Sequence, residues 1–301
     1  MIKQRSLMAG QRIGVFGKGG CGKSTVTVLL AKTIAAMHRD VGVLDADTTN
    51  VGLHLAFGLD HGPRPLLDYF GGMIFSGGRV TCPVDDPSPL PGATITLDQL
   101  AKDYYARTRD DILLLTAGKM GGQGPGAGCD GPIAKIVRDV RIESEDDQRV
   151  WLIDFKAGFE DTARGVITSL DWALVVVDPT VAAIDMAMNM KRISDQMRMG
   201  SVPATEHLKS PELVRIAEKI FREAPLKGIL CVLNKVRDAE TEGFVRARLA
   251  EAGITPIGTV KEDPRIARSW LRGELLETAP TDQTFAQIVA RLESAVHPCS
   301  I

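Results

Sequence analysis

The sequence predicts an α/β protein of three layers, a doubly wound and mainly parallel sheet between two sets of helices. Short apolar runs recur at 13–16, 41–44, 112–115, 150–153, 174–177, 229–233 and 257–260, and continuous runs of this length are what strands buried on both faces look like. Helical patterns alternate with them, as in a parallel sheet with helical crossovers. The second run ends in carboxylates, Asp45 and Asp47, at the strand end where open α/β sheets bind ligands.

Composition narrows the function classes. The 301 residues are 44% hydrophobic and 25% charged, which suits one globular domain over 1–301 with a Pro/Gly-rich insertion at about 60–110. A formal charge of −2 supplies no basic field, so nucleic acid is not an expected partner. No apolar run reaches membrane-spanning length and residues 1–11 are too short and polar for a secretory signal, so a cytoplasmic chain with no membrane partner is expected. The cysteines, Cys21, Cys82, Cys129, Cys231 and Cys299, are five in number, irregularly spaced and without a C-x-x-C. They imply neither a disulfide framework nor a self-contained zinc site.

The first strand runs into Gly17-Lys18-Gly19-Gly20-Cys21-Gly22-Lys23-Ser24-Thr25, which matches G-x-x-x-x-G-K-[ST] between a strand and a helix, the signature of a P-loop NTPase. The glycines let backbone N–H groups turn toward an anion, and the helix that follows points its positive end at the same place. Lys23 is expected on the β- and γ-phosphates, the Ser24 hydroxyl on Mg²⁺, and Thr25 near the α-phosphate. A plain Gly-rich turn is the alternative; the strand before it and the apolar helix after it, with Val28, Leu29, Ile34 and Met37, argue for a bound nucleotide.

With Lys18 added, the loop resembles the deviant P-loop of the MinD/ParA/nitrogenase iron protein superfamily. The resemblance implies a homodimer in which Lys18 crosses to the partner subunit's nucleotide; a solvated surface lysine is the alternative. It implies also that Asp47, in the first switch, helps to position the attacking water. Asp45 is the weaker candidate, and strand-ending aspartates without chemistry remain an alternative for both.

From 60 to 110 the pattern loosens around Pro63, Pro65, Gly71, Gly72, Pro83, Pro87, Pro89 and Pro91. A long loop is expected there, with a short helix over 97–107. The third main strand leads into a Gly-rich stretch ending in Gly128-Cys129-Asp130-Gly131-Pro132. This resembles the nickel-insertion accessory ATPases of carbon monoxide dehydrogenase, in which Gly-x-Gly-Cys-x-Cys-Pro holds a metal between protomers. Cys129 takes the first cysteine position and Gly131 the second, so a closed tetrahedral thiolate site does not form from these residues alone. Cys129 is open to three readings: a soft-metal ligand for Ni²⁺ or Zn²⁺ at a dimer interface, a thiol that pairs across the dimer, or an inert loop cysteine.

The fourth main strand ends Ile153-Asp154-Phe155-Lys156-Ala157-Gly158. An apolar strand closing on Asp, with Gly four residues on, reads as a Walker B strand and second switch: Asp154 in the Mg²⁺ shell, the Gly158 N–H at the γ-phosphate. Asp154, Ala157, Gly158, Glu160, Arg164 and Gly165 are similar to the same accessory ATPases, whereas Lys156 and Asp161 stand where those proteins carry Glu and His. A methionine-rich helix is expected over 182–197, more a packing stripe than a metal relay. The superfamily resemblance makes Asn234 the residue that reads adenine, an edge an amide can match, and Asp263 and Pro264 bordering residues of the base, although a helix start at Pro264 explains them as well. The terminal helix, 284–296, lacks the basic rim of a membrane-binding tail.

The expected function is therefore an ATP-binding, ATP-hydrolysing homodimeric switch that serves metal-centre maturation, with a client metalloenzyme as partner. One alternative is a MinD/ParA-type positioning or partition ATPase; an electron-transfer ATPase with Cys82 and Cys129 as cluster ligands, and a nucleotide-binding scaffold with little turnover, are further ones.

Overall fold

The computed structural model describes residues 7–50, 52–120, 129–143, 148–278 and 281–296. Residues 121–128 of the Gly-rich stretch, and Cys299, lie outside them. The first half of the chain forms β1 (Arg12–Gly17), α1 (Lys23–Ala36), β2 (Val41–Ala46), α2 (Leu53–Ala56), α3 (Leu66–Tyr69), β3 (Thr94–Thr96), β4 (Tyr105–Arg107), β5 (Leu113–Thr116), α4 (Gly131–Asp139) and β6 (Arg141–Glu143). The second half forms β7 (Val150–Phe155), α5 (Glu160–Ala163), β8 (Trp172–Val177), α6 (Val181–Arg198), α7 (Pro211–Arg222), β9 (Gly228–Val236), α8 (Ala239–Ala250), β10 (Gly258–Lys261), α9 (Pro264–Arg272) and α10 (Asp282–Val296).

The expected strands all form, as β1, β2, β5, β7, β8, β9 and β10. They join in the order β10-β9-β8-β1-β7-β2-β5-β4. Every pairing is parallel except β4 with β5. Along β8, Leu174 and Val176 pack with the apolar residues of α1 and α10, whereas Ala173, Val175 and Val177 pack with those of α4, α6 and α8. That period of two divides the core into one layer on each face of the sheet. Helix α1 is buried nearly all round, from Thr25 to Ile34, because it lies between the sheet and α10; a helix so placed needs no polar face. Helix α10 buries Phe285, Ile288, Val289 and Leu292.

The helix expected over 97–107 does not form. Thr96 and Gln99 cap a single tight turn, and Leu100 and Ala101 then take extended angles. Tyr105–Arg107 pairs instead with β5, Tyr105 opposite Leu115 and Arg107 opposite Leu113. Without that strand the edge of β5 would present unpaired N–H and C=O groups, and covering it outweighs local helix preference.

The segment between β2 and β5 is fastened to α4. Lys135, buried, donates to Thr81 Oγ1 at 2.6 Å and to the Asp86 carbonyl and carboxylate at 3.0 Å each. Arg138 Nη2 reaches the carbonyls of Pro87 and Ser88 at 3.0 and 3.2 Å, and Leu90 N–H donates to Asp139 at 2.8 Å. Burial pushes the Asp86 carboxyl up, but Thr81, Lys135 and Ser88 bring it down to about 2. Lys135→Ala should therefore remove about 1–3 kcal/mol of stability and speed limited proteolysis between residues 60 and 107, leaving nucleotide affinity within about threefold because the strand ends that form the cleft are untouched.

Candidate nucleotide-binding site

The carboxyl ends of β1, β2, β7 and β9 surround one cleft. Its floor is the turn from Gly17 to Lys23 and the first turn of α1. No side chain caps α1, so its opening N–H groups face the turn, where an anion would satisfy them. Gly22 sits at φ +94°, and a Cβ there would stand 2.2 Å from Asn234 Nδ2, so both the backbone angle and the neighbour require glycine. Asn234, buried at the end of β9, donates that amide to the Cys21 carbonyl at 2.8 Å. Lys235, held at φ +57°, donates Nζ to the Gly20 carbonyl at 2.6 Å. The Cys21 thiol is buried and its titration pushed up to about 11 by that burial, which makes it a packing residue of the turn.

Ser24 bonds to Asp154, and Asp47 lines the same cleft, linked to Ser24 through Asn50. Asp154, fully buried at the end of β7, accepts Ser24 Oγ at 2.7 Å on one oxygen and Thr27 Oγ1 at 3.0 Å on the other. Asn50 Nδ2 donates to Ser24 Oγ at 3.2 Å. Burial lifts Asp154 to about 6 in spite of these bonds and of Lys23. Asp47 is different: burial raises it, but the N–H and hydroxyl of Thr49 and the N–H of Asn50, at 2.8 to 3.1 Å, outweigh the burial and hold the carboxyl below its ordinary range. These hydroxyl, carboxylate and amide oxygens are hard donors, the chemistry that suits Mg²⁺. Lys23 Nζ lies along the turn and donates to the Lys18 carbonyl at 3.1 Å. Lys18 is exposed, with Gly19 and Gly20, and Gly158 N–H donates to the Gly17 carbonyl at 3.3 Å.

A second groove opens beside the cleft, lined by Asn234, Lys235, Asp263, Pro264 and Trp270. Asp263 accepts the Arg265 N–H at 2.8 Å and so caps α9, with Pro264 in its first turn. Trp270 Nε1 donates to Thr25 Oγ1 at 2.8 Å and lines both groove and cleft. Sequence reasoning missed Trp270, Lys235, Thr27 and Asn50; the one available signal for Trp270 was a lone aromatic in a helix that carries three arginines.

Two ion-pair groups flank the cleft. Lys119, just after β5, donates to Asp45 Oδ2 at 2.7 Å and to the carbonyls of Asp47 and Asn50 at 2.6 and 2.5 Å. Asp130 is met by Lys156 and by Arg164 Nη2, the latter at 2.7 Å. Lys156, which with Asp161 replaces the accessory-ATPase Glu and His, is thus matched by a carboxylate. Cys129, half-buried, immediately precedes Asp130. Cys82, Cys129 and Cys231 are free thiols, and Cys231 is buried in the core.

Burial raises Asp45 to about 7 against the pull of Lys119, and raises Asp161 to about 6 as it does Asp154. The folded chain therefore keeps protons that the unfolded chain has lost, so the stability these groups supply is complete below about pH 4 and disappears as the pH rises to about 7. Carboxyls held low, such as Asp47, Asp86 and Glu242, titrate beneath that window. Denaturation midpoints of the ligand-free protein should fall as the pH rises from about 4 to about 7. Asp45→Asn should remove the upper part of that fall and leave the lower part in place.

The profile of the CobQ/CobB/MinD/ParA nucleotide binding domain family matches residues 15–276. An uncharacterized ATP-binding protein of Methanocaldococcus jannaschii is 32% identical over 188 residues, which cover 62% of this chain and 74% of that protein. The carbon monoxide dehydrogenase accessory protein CooC of Rhodospirillum rubrum is 26% identical over 289 residues, 94% of this chain and 96% of its own. A chain of the MinC:MinD cell division protein complex of Aquifex aeolicus superposes with a TM-score of 0.61 at 18% identity, covering 94% of this chain and 95% of its own; at that identity the likeness speaks for the fold. No helix among the described residues is long and apolar enough to cross a membrane. With a family match that begins in β1 and ends beyond α9, the protein belongs to the CobQ/CobB/MinD/ParA nucleotide-binding family and is a P-loop ATPase.

Proposed function

We propose that the protein is an ATP-driven, Mg²⁺-dependent homodimeric switch that serves the maturation of a metal centre, nickel or zinc, in a client metalloenzyme. The observation that carries this reading is the anchor at Asp130, next to Cys129, together with a second at Lys119. Lys119 is bonded to the loop after β2, through Asp45, Asp47 and Asn50, and Asp130 is bonded to Lys156 and Arg164 of the loop after β7. Those are the loops that respond to a γ-phosphate in P-loop ATPases. Nucleotide state would thereby reach the thiol. The accessory-protein relative, similar along nearly its whole length, supports the same reading. A surface-positioning role is less well served, because α10 buries its apolar face in the core.

The residues divide as follows. Lys23 would exchange the Lys18 carbonyl for the β- and γ-phosphates, Thr25 would lie at the α-phosphate, and the N–H groups from Gly17 to Gly22 would line the chain of phosphates. Ser24 and Asp154 would hold Mg²⁺, which neutralises charge on the transferring phosphoryl group. Asp47 would orient a water for attack on the γ-phosphorus: the new P–O bond forms as the bond to the bridging oxygen breaks, ADP departs, and the water proton leaves with phosphate. Lys18 would reach the second subunit's phosphates, and Gly158 N–H the γ-phosphate. Asn234, Asp263 and Pro264 would border the adenine, with Trp270 as the flat surface beside it.

Lys23→Ala should weaken ATP binding by about a hundredfold, and Asp47→Asn should lower turnover by about a hundredfold with ATP affinity nearly unchanged; unchanged turnover in Asp47→Asn removes its assignment. Trp270 fluorescence should shift when ATP binds and stay constant with inorganic phosphate. The coupling is tested by metal uptake, Ni²⁺ or Zn²⁺, with ADP and with a non-hydrolysable ATP analogue. Wild type should differ between the two, and Asp130→Asn should bind metal equally in both. Equal uptake by wild type refutes nucleotide control.

A further inference from the structure

Gly131 opens α4 between two sulfurs that the sequence holds far apart. A Cβ placed on Gly131 would stand 2.5 Å from Cys82 Sγ and 3.3 Å from Cys129 Sγ. The absence of a side chain at 131 is thus what lets the Cys82 thiol come alongside the Cys129 thiol. Both are free. Their surroundings hold them in place independently of one another. Cys82 lies on the turn that Lys135 and Arg138 fasten to α4. Cys129 adjoins Asp130, which Lys156 and Arg164 fix.

Burial pushes the Cys82 thiol up, and backbone N–H bonds from Val84 and Asp85 offset only part of that. No cluster of three or more His, Cys, Asp or Glu side chains suited to a metal occurs among the described residues. Among the described residues one chain therefore offers two soft donors here and no third His, Cys, Asp or Glu beside them.

We propose that Cys82 and Cys129 together form a bis-thiolate site for a soft, thiophilic metal ion. Thiolates select soft and borderline cations. Two of them satisfy a linear monovalent ion within one chain, or supply half of a tetrahedral divalent site that a second copy completes. Binding releases both thiol protons to solvent and needs no oxidant. The site gives the maturation reading its donors and rests on that reading only for control by nucleotide. It also gives the segment between β2 and β5 a use, the delivery of Cys82.

The test is titration of the reduced full-length protein with Zn²⁺ and with Cu⁺, each against a competing chelator, in wild type, Cys82→Ser and Cys129→Ser. Each serine variant should lose about a hundredfold or more in affinity, with ATP binding unchanged as the control for folding. One ion per chain marks the linear site, and one per two chains the shared one; either supports the pair. A second readout uses wild type alone: bound metal should slow alkylation of Cys82 and Cys129 together. Metal retained by Cys82→Ser but lost by Cys129→Ser, or alkylation of Cys82 indifferent to metal, overturns the pair and leaves maturation standing. Metal that needs both thiols but ignores nucleotide supports the pair and overturns the maturation reading. No binding by wild type overturns both.

Discussion

A carboxylate in the middle of the sheet ties the nucleotide cleft together. Asp154 ends β7 between β1 and β2 and is fully buried, a position in which an ionised group without partners is costly. Ser24 and Thr27, one from the first turn of α1 and one from the second, each give it a hydroxyl. The helix that carries the phosphate turn is therefore fixed to the sheet at the place where charge must be compensated. The order of strands follows from the same requirement, since only neighbours of β7 can bring their loops to that carboxylate.

The loops around it differ in how they carry charge. After β2, Asp47 is solvated by hydroxyl and backbone groups and stays ionised, whereas Asp45, two residues earlier, is buried against Lys119 and titrates near neutrality. After β7, Lys156 turns to Asp130 and Glu160. Position along a strand end, more than residue type, decides which aspartate remains available for chemistry.

Much of this was legible in the chain. The parallel strands announce themselves because both their faces are buried, and the phosphate turn because glycine, lysine and serine each have one mechanical task there. The legible part stops where function depends on residues brought together from distant segments. Lys119, Lys235 and Trp270 carry no local pattern that distinguishes them from surface residues, and their roles appear only through the carbonyls and hydroxyl they reach. The residues at 105–107 look helical until the open edge of β5 is seen. Cys82 sat in a stretch rich in proline and glycine with nothing around it to mark a ligand. Gly131 looked like a lost cysteine; the fold shows another thiol beside the space it leaves.

The contact between Gly22 and Asn234 has an evolutionary side. The amide that braces the turn fills the volume a side chain at position 22 would need, so no side chain enters at 22 while asparagine stands at 234. A larger residue at 22 requires a smaller one at 234, and a smaller one at 234 leaves the Cys21 carbonyl without its donor. Relatives of this chain that keep the asparagine should therefore keep the glycine as well, a constraint that links the opening turn to a strand near the far edge of the sheet.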